Sequence, residues 1–323
     1  MTPPRTVLSR RPVARRFARA IAALASLVVV TAALTGCSAT APATTLNVVA
    51  TTTQVTDFTK QIVGSAGTVT GLIAPNQSAH SFDPSAAQLL AITKANAVVI
   101  SGADLEPWLG DLLKAANFTG TVIYASAGLK LIDGDPHIWT DPANAKKMVA
   151  NIAAGLDEVS PVNASNVNAN AAAYEAKLTV LNDWALASFA QVPAATRLLV
   201  TNHDAFTYFV DAFGIDFVGS IIPGFDDNAE PSAARIDRVI SEIKASGATA
   251  IFSEASISPK LAQTIATEAN VKVYSGEDAL YSDSLGAPGS AGQNYISATV
   301  HNVTTLIQAW GYQPLPLPAE LRS

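Results

Sequence analysis

The sequence predicts an α/β protein of two lobes, each a mainly parallel sheet with helices on its faces, joined by one long helix. Three observations carry that prediction. From Leu46 onward, short β-branched runs alternate with amphipathic helical stretches, the pattern of parallel strands connected through helices. The alternation breaks off and resumes past Pro193, which makes two halves rather than one. Between them, from Val162 to Gln191, no proline or glycine interrupts the chain, so one helix of ~30 residues and ~45 Å is available to join the halves.

The chain opens with Arg5, Arg10, Arg11, Arg15, Arg16 and Arg19, followed by an apolar run from Ala20 to Leu34. That run is short for a membrane span and has the charged and apolar regions of an export signal. Arg10-Arg11 has the pair of a twin-arginine signal, but the residues after it fit that signal poorly. The segment ends in Leu34-Thr35-Gly36-Cys37, which resembles the bacterial lipobox, where small residues admit the processing peptidase and the cysteine takes lipid. The resemblance implies a signal peptide over 1–36, a lipid anchor on Cys37, and a place on the extracytoplasmic face of the cell membrane. Residues 37–45, rich in Ala, Thr and Ser, read as a short flexible tether. Cys37 is the only cysteine, which excludes an internal disulfide and a cysteine-based zinc site.

The N-terminal lobe is expected over 46–160, with strands at 46–50, 68–73, 97–101 and 121–126 and helices at about 54–65, 84–95 and 106–117. Asp83-Pro84 predicts the start of the second helix: aspartate caps it, and proline is tolerated at its first position because that N–H has no helical partner. Asp141-Pro142 predicts a helix over 142–159 by the same chemistry, and Ser160-Pro161 ends it. Immediately ahead stands Asp135-Pro136-His137-Ile138-Trp139-Thr140-Asp141-Pro142, where two Asp-Pro steps make a stiff turn that aims His137. The linking helix is expected within 161–192, with Ala172, Ala173, Leu178, Leu181, Trp184 and Leu186 as its apolar side. The C-terminal lobe then covers 193–323, with strands at about 197–202, 216–219, 249–253 and 271–275 and helices at about 204–213, 231–246, 258–269 and 295–311. The two halves share no sequence repeat, and Pro314-Leu315-Pro316-Leu317-Pro318 reads as an extended end of no evident function.

Charge narrows the function. The formal net charge is −6, but setting aside the six arginines of residues 1–36 leaves 14 basic against 26 acidic residues, a net −12. Such a surface attracts cations and does not suit nucleic acid. His80, His137, His203 and Asp283 each follow the carboxyl end of a predicted strand, two in each half, and in open α/β sheets that edge is where ligands bind. Facing halves would bring the four into one cleft. Their separations of 57, 66 and 80 residues rule out a locally folded finger, so only a complete tertiary fold assembles such a site.

Four of five ordered segments carry these residues: Ala79-His80-Ser81-Phe82-Asp83-Pro84-Ser85, Asp135 to Pro142, Thr201-Asn202-His203-Asp204-Ala205-Phe206-Thr207-Tyr208-Phe209 and Tyr281-Ser282-Asp283-Ser284-Leu285, with Glu230-Pro231-Ser232 as the fifth. Together with the lipobox they resemble the zinc- and manganese-binding solute-binding lipoproteins of bacterial ABC importers, over nearly the whole chain. The resemblance implies that His80, His137, His203 and Asp283 ligate a divalent metal between two lobes, and that the partner is an ABC transporter permease. A monomer is expected. Members devoted to zinc in some bacteria carry a long histidine-rich loop before the second ligand, whereas Gly128 to Asp135 is short and has no histidine. Three imidazoles and one carboxylate suit zinc, while manganese prefers more oxygen and its selective branch commonly has Glu at the position of His203. Zinc is therefore expected and manganese is the alternative.

A zinc hydrolase is the competing class, but it needs an open metal position and a general base, and neither a His-Glu-x-x-His nor a Gly-x-Ser-x-Gly motif occurs. Adhesion to host matrix occurs among relatives and leaves no mark in this sequence. Glu254, at the binding edge of the strand 249–253, reads as a carboxylate that orients a ligand histidine from behind, the alternative being an ordinary strand-end acid. His301 lies within the last helix as a surface or packing histidine, and Asp226 and Asp227 read as a solvated loop pair.

Overall fold

The computed structural model describes residues 1–2 and 45–322. The signal segment and Cys37 lie outside these described residues. Two four-stranded sheets, all of their pairs parallel, organise the chain. The first has the order β2-β1-β3-β4, with β1 Leu46–Ala50, β2 Gly67–Gly71, β3 Ala97–Ile100 and β4 Thr121–Tyr124. The second has the order β6-β5-β7-β8, with β5 Leu198–Thr201, β6 Asp216–Ser220, β7 Ala250–Phe252 and β8 Lys272–Tyr274. The order repeats although the sequence does not. In each sheet the chain reverses its direction of travel between the two central strands, β1 and β3 or β5 and β7, and such switch points open a crevice at the carboxyl edge.

Helices fill the connections: α1 Thr53–Val63, α2 Ala86–Thr93, α3 Leu109–Ala115, α4 Pro142–Val159, α6 Thr207–Phe213, α7 Ala233–Ser246, α8 Lys260–Ala269 and α9 Tyr295–Ala309, with α5 Ala164–Phe189 between the halves. The last is 26 residues long, which at 1.5 Å per residue spans ~39 Å. Its buried stripe is Val167, Ala171, Tyr174, Leu178, Leu181, Trp184, Ala185 and Ser188, spaced mostly three and four apart. Ala172, Ala173 and Leu186, expected on that face, point outward. The helix packs on α4 and α1 of the first lobe and on α6 and α9 of the second, so it braces both. The C-terminal tail is likewise not idle: Trp184 Nε1 donates to the Leu315 carbonyl at 3.0 Å, the Leu315 N–H donates to Ser188 Oγ at 3.2 Å, and Leu321 is buried. It straps the long helix from outside.

Two local expectations need correction. Helix α2 starts at Ala86, capped by Ser85 in a reciprocal capping box with Gln88, rather than at Pro84 under Asp83. Ser85 wins because Gln88, three residues on, returns a bond to the cap backbone, and that pairing satisfies two orphan N–H groups at once. Helix α3 starts at Leu109 instead of residue 106 because Glu106 turns inward. Its carboxylate accepts from Thr51 Oγ at 2.6 Å and from the Ser101 and Gly102 N–H groups at 2.7 and 2.9 Å. Glu106 thereby fills the switch point of the first sheet. By contrast Asp141 caps α4 as its sequence predicts, accepting from the Ala143 N–H at 2.8 Å with Pro142 at the first helical position.

Candidate metal centre

His80 comes from the long loop after β2, His137 from the turn ahead of α4, His203 from the end of β5 and Asp283 from the loop after β8. All four follow carboxyl edges, and the fold brings them together between the lobes: each offers one donor atom, and those atoms lie within 4.8 Å of one another. His137, His203 and Asp283 are buried, and His80 is partly buried on the open side. His80 Nε2 is 3.1 Å from His137 Nε2, Asp283 Oδ1 is 3.0 Å from His137 Nε2, and Asp283 Oδ2 is 3.6 Å from both His80 Nε2 and His203 Nδ1. A tetrahedral ion with bonds of about 2.0–2.1 Å has ligand–ligand edges of about 3.3–3.4 Å, so these contacts have the size of such edges.

Each imidazole but one is oriented by a neighbour. The His137 Nδ1 is 2.6 Å from Asp135 Oδ1, which also accepts the His137 N–H at 2.8 Å. Nδ1 therefore carries the proton of the neutral ring and Nε2 presents its lone pair to the cluster. Asp135 is held in turn by Tyr208, whose hydroxyl donates to the Asp135 carbonyl at 2.7 Å and accepts from the Ile132 N–H at 3.0 Å. This role of Asp135 was missed in the sequence, where Asp135-Pro136 read only as a stiff turn. The signal was there in Asp-Pro-His, because an aspartate two residues ahead can bond the backbone that follows it. His203 Nε2 is 2.8 Å from the Phe225 carbonyl, and its Nδ1 is 3.4 Å from Glu254 Oε2. His80 has its N–H bonded to Ser78 Oγ at 3.1 Å, and the Trp108 indole donates to the carbonyl of Ala79 beside it at 3.1 Å.

Burial and charge pull these groups apart. Burial pushes the His137 imidazolium down, but the carboxylates of Asp283 and Asp135 outweigh it and hold it up at about 9. Burial likewise opposes charge on His203, and Asp283 and Glu254 hold it up at about 10. For His80 burial dominates and lowers it. Burial would raise Asp283, yet the surrounding imidazoles keep it well below the usual carboxylate range. Apart from the imidazoles themselves, four buried oxygens around the cluster have no hydrogen-bond donor: both of Asp283, Glu254 Oε1 and Asp135 Oδ2. Among the described residues no lysine or arginine pairs with any of these carboxylates. Buried anions without donors call for a cation, and three imidazoles with a carboxylate make a donor set that zinc accepts.

The remaining candidates fall outside the cluster. Asp278, five residues before Asp283, is exposed on a short 3-10 turn. His301 packs in α9, with Nε2 3.0 Å from the Ala279 carbonyl and its ring 5.3 Å from that of Tyr281. Asp226 and Asp227 lie on the loop that carries Phe225, where bonds from Asn228 hold Asp226 below its ordinary value.

The model of the family described as ZnuA, zinc-uptake complex component A, periplasmic, matches residues 48–309. The manganese-binding lipoprotein MntA of Halalkalibacterium halodurans is 29% identical over 256 residues, which cover 78% of this chain and 84% of MntA. The zinc-binding lipoprotein AdcA of Streptococcus pneumoniae is 31% identical over 285 residues, 81% of this chain but 55% of AdcA. The chain thus spans about half the length of AdcA. Among solved structures, the periplasmic zinc-binding protein TroA from Treponema pallidum superposes with a TM-score of 0.76 at 25% identity, covering 82% of this chain and 99% of TroA. A cadmium-bound periplasmic metal-binding protein from Candidatus Liberibacter asiaticus shares the fold, with a TM-score of 0.71 at 24% identity over 82% of this chain and 99% of its own.

Proposed function

The chain belongs to the ZnuA family of metal-uptake components, and from that premise we propose that it is a lipid-anchored receptor that captures a divalent metal, zinc first, and hands it to an ABC importer. His80, His137, His203 and Asp283 are the ligands in this reading. The observation that carries it is the convergence of three imidazoles and one carboxylate from four separate strand ends, at edge spacings that fit one small cation. Cys37, at the end of the export signal, holds the protein at the extracytoplasmic face of the membrane, as the names of the lipoprotein relatives support. The metal is cargo, and its release to a permease is the purpose of the site.

Zinc leads manganese because nitrogen donors outnumber oxygen, and because the general affinity order places manganese below zinc. Family members are metal-binding transport proteins, and four protein donors fill a tetrahedron without leaving the open position that a zinc hydrolase needs. Adhesion finds no support in the relatives named above. The test is metal analysis of protein purified without chelator, followed by competition titration of zinc against manganese. One equivalent of zinc, lost in His137→Ala, is the expected result. Protein that takes up neither metal would overturn the reading.

A further inference from the structure

Apart from the imidazoles around it, no donor reaches the buried carboxylate of Asp283, so its backbone must set where it points. That backbone is gripped from two sides. In the second lobe, Asn302 of α9 donates to the Tyr281 carbonyl at 2.7 Å and accepts the Tyr281 N–H at 2.9 Å. The next carbonyl, that of Ser282, is taken by the first lobe: Gln54 Nε2 donates to it at 2.7 Å and Trp139 Nε1 at 2.9 Å. Beyond Asp283, the Leu285 N–H donates to Thr53 Oγ1 at 2.8 Å, and the Leu285 carbonyl accepts from the Asn76 N–H at 3.1 Å. A candidate ligand supplied by the second lobe is therefore held by donors of the first.

Gln54 stands out among these donors. It lies in the first turn of α1, just past the carboxyl end of β1, and it is 1% exposed although glutamine is ordinarily a surface residue. A buried amide is costly unless it is bonded, and Gln54 directs its donor across the lobes. Its partners fix its orientation: the Ser282 carbonyl only accepts, so Nε2 faces it, while the Thr53 hydroxyl donates to Oε1 at 3.1 Å. Trp139 is tied a second time, since the Tyr295 hydroxyl donates to its carbonyl at 2.6 Å. We infer that Gln54, with Trp139 beside it, is a positioning residue for Asp283: it fixes the peptide ahead of Asp283 and thereby the place of the carboxylate in the metal site. The inference rests on the metal-receptor reading, with Asp283 as a ligand in it. Gln54 is not a ligand and acts from one peptide away. The site keeps its fourth donor in place only while the two lobes hold together at Ser282.

The test is a double-mutant cycle on the full chain, with zinc affinity read by competition against a chromophoric chelator. Gln54→Met keeps the length of the side chain and removes the donor. In the parent background it should weaken zinc binding about tenfold, the lower end of the loss when a residue that orients a ligand is removed. In the Asp283→Ala background, where three imidazoles remain, the same substitution should change the affinity by less than about twofold, because the group it positions is gone. A loss of equal size in both backgrounds overturns the inference, being the mark of a general structural role, and so does an unchanged affinity in the parent background. Should Gln54→Met fail to fold by circular dichroism, Trp139→Phe removes the other donor to Ser282, keeps a ring beside His137 and is read in the same cycle. Parent protein that binds no zinc would instead refute the receptor reading itself, before any variant is compared.

Discussion

Lowering the pH from 8 to 6 should weaken zinc binding by about four orders of magnitude, because two of the three imidazoles hold protons that the metal must displace. His137 lies between Asp135 Oδ1 at 2.6 Å and Asp283 Oδ1 at 3.0 Å, and His203 between the Phe225 carbonyl at 2.8 Å and two carboxylate oxygens at 3.4 and 3.6 Å. These acceptors overcome burial and hold the two rings up at about 9 and about 10. Their pKa values are raised, so protons compete below those values and cease to compete as the pH rises through them. Between pH 6 and 8 both rings are protonated, and each displaced proton changes the apparent affinity about tenfold per pH unit, ~1.4 kcal/mol. Two protons over two units amount to about 5.5 kcal/mol. Burial lowers His80 and the imidazoles hold Asp283 well below the carboxylate range, so the two raised rings dominate the slope in this window. Unperturbed imidazoles near about 6.5 would place the loss between pH 5 and 7 instead. Competition against a chromophoric chelator at pH 6, 7, 8 and 9 measures the slope, and calorimetry in buffers of different ionisation enthalpy counts the protons directly. An affinity that is flat between pH 7 and 8, with no proton released, would refute the argument.

Three further outcomes are expected. Asp283→Ala should weaken zinc binding at least a hundredfold while Asp278→Ala, on its exposed turn, stays within about twofold, and calorimetric titration giving the reverse order would remove Asp283 from the ligand set. Asp135→Asn should cost about 10–100-fold in metal affinity, since the amide no longer offers a charged acceptor to His137 Nδ1; unchanged affinity in a folded variant would show that the turn alone aims the ring. Cys37→Ala should leave the protein unprocessed or shed, so detergent-phase partitioning identical to the parent would sink the anchor.

The sequence by itself determined what has a linear signature. Parallel strands wrapped by helices follow from alternating apolar runs, the start of α4 from Asp141-Pro142, and the long joining helix from a stretch without proline or glycine. His80, His137, His203 and Asp283 were legible because each follows a strand that ends at a binding edge, within segments that match a known family. Their assembly across 57, 66 and 80 residues belonged to the tertiary structure, as did everything that touches them from the side. The register of β5 on β7 sets Glu254 against His203 across 51 residues, and the Phe225 carbonyl reaches the same ring across 22. Glu106 turns into the first sheet's switch point, where a helix had been expected to begin, because buried backbone N–H groups there need an acceptor more than the helix needs another turn. Cross-strand neighbours and backbone acceptors have no period in the chain, since they depend on strand order and on where a loop comes to rest. Local pattern therefore names the four candidate side chains, whereas their protonation and the Glu254 carboxylate beside them are decided only when the two sheets fold and meet.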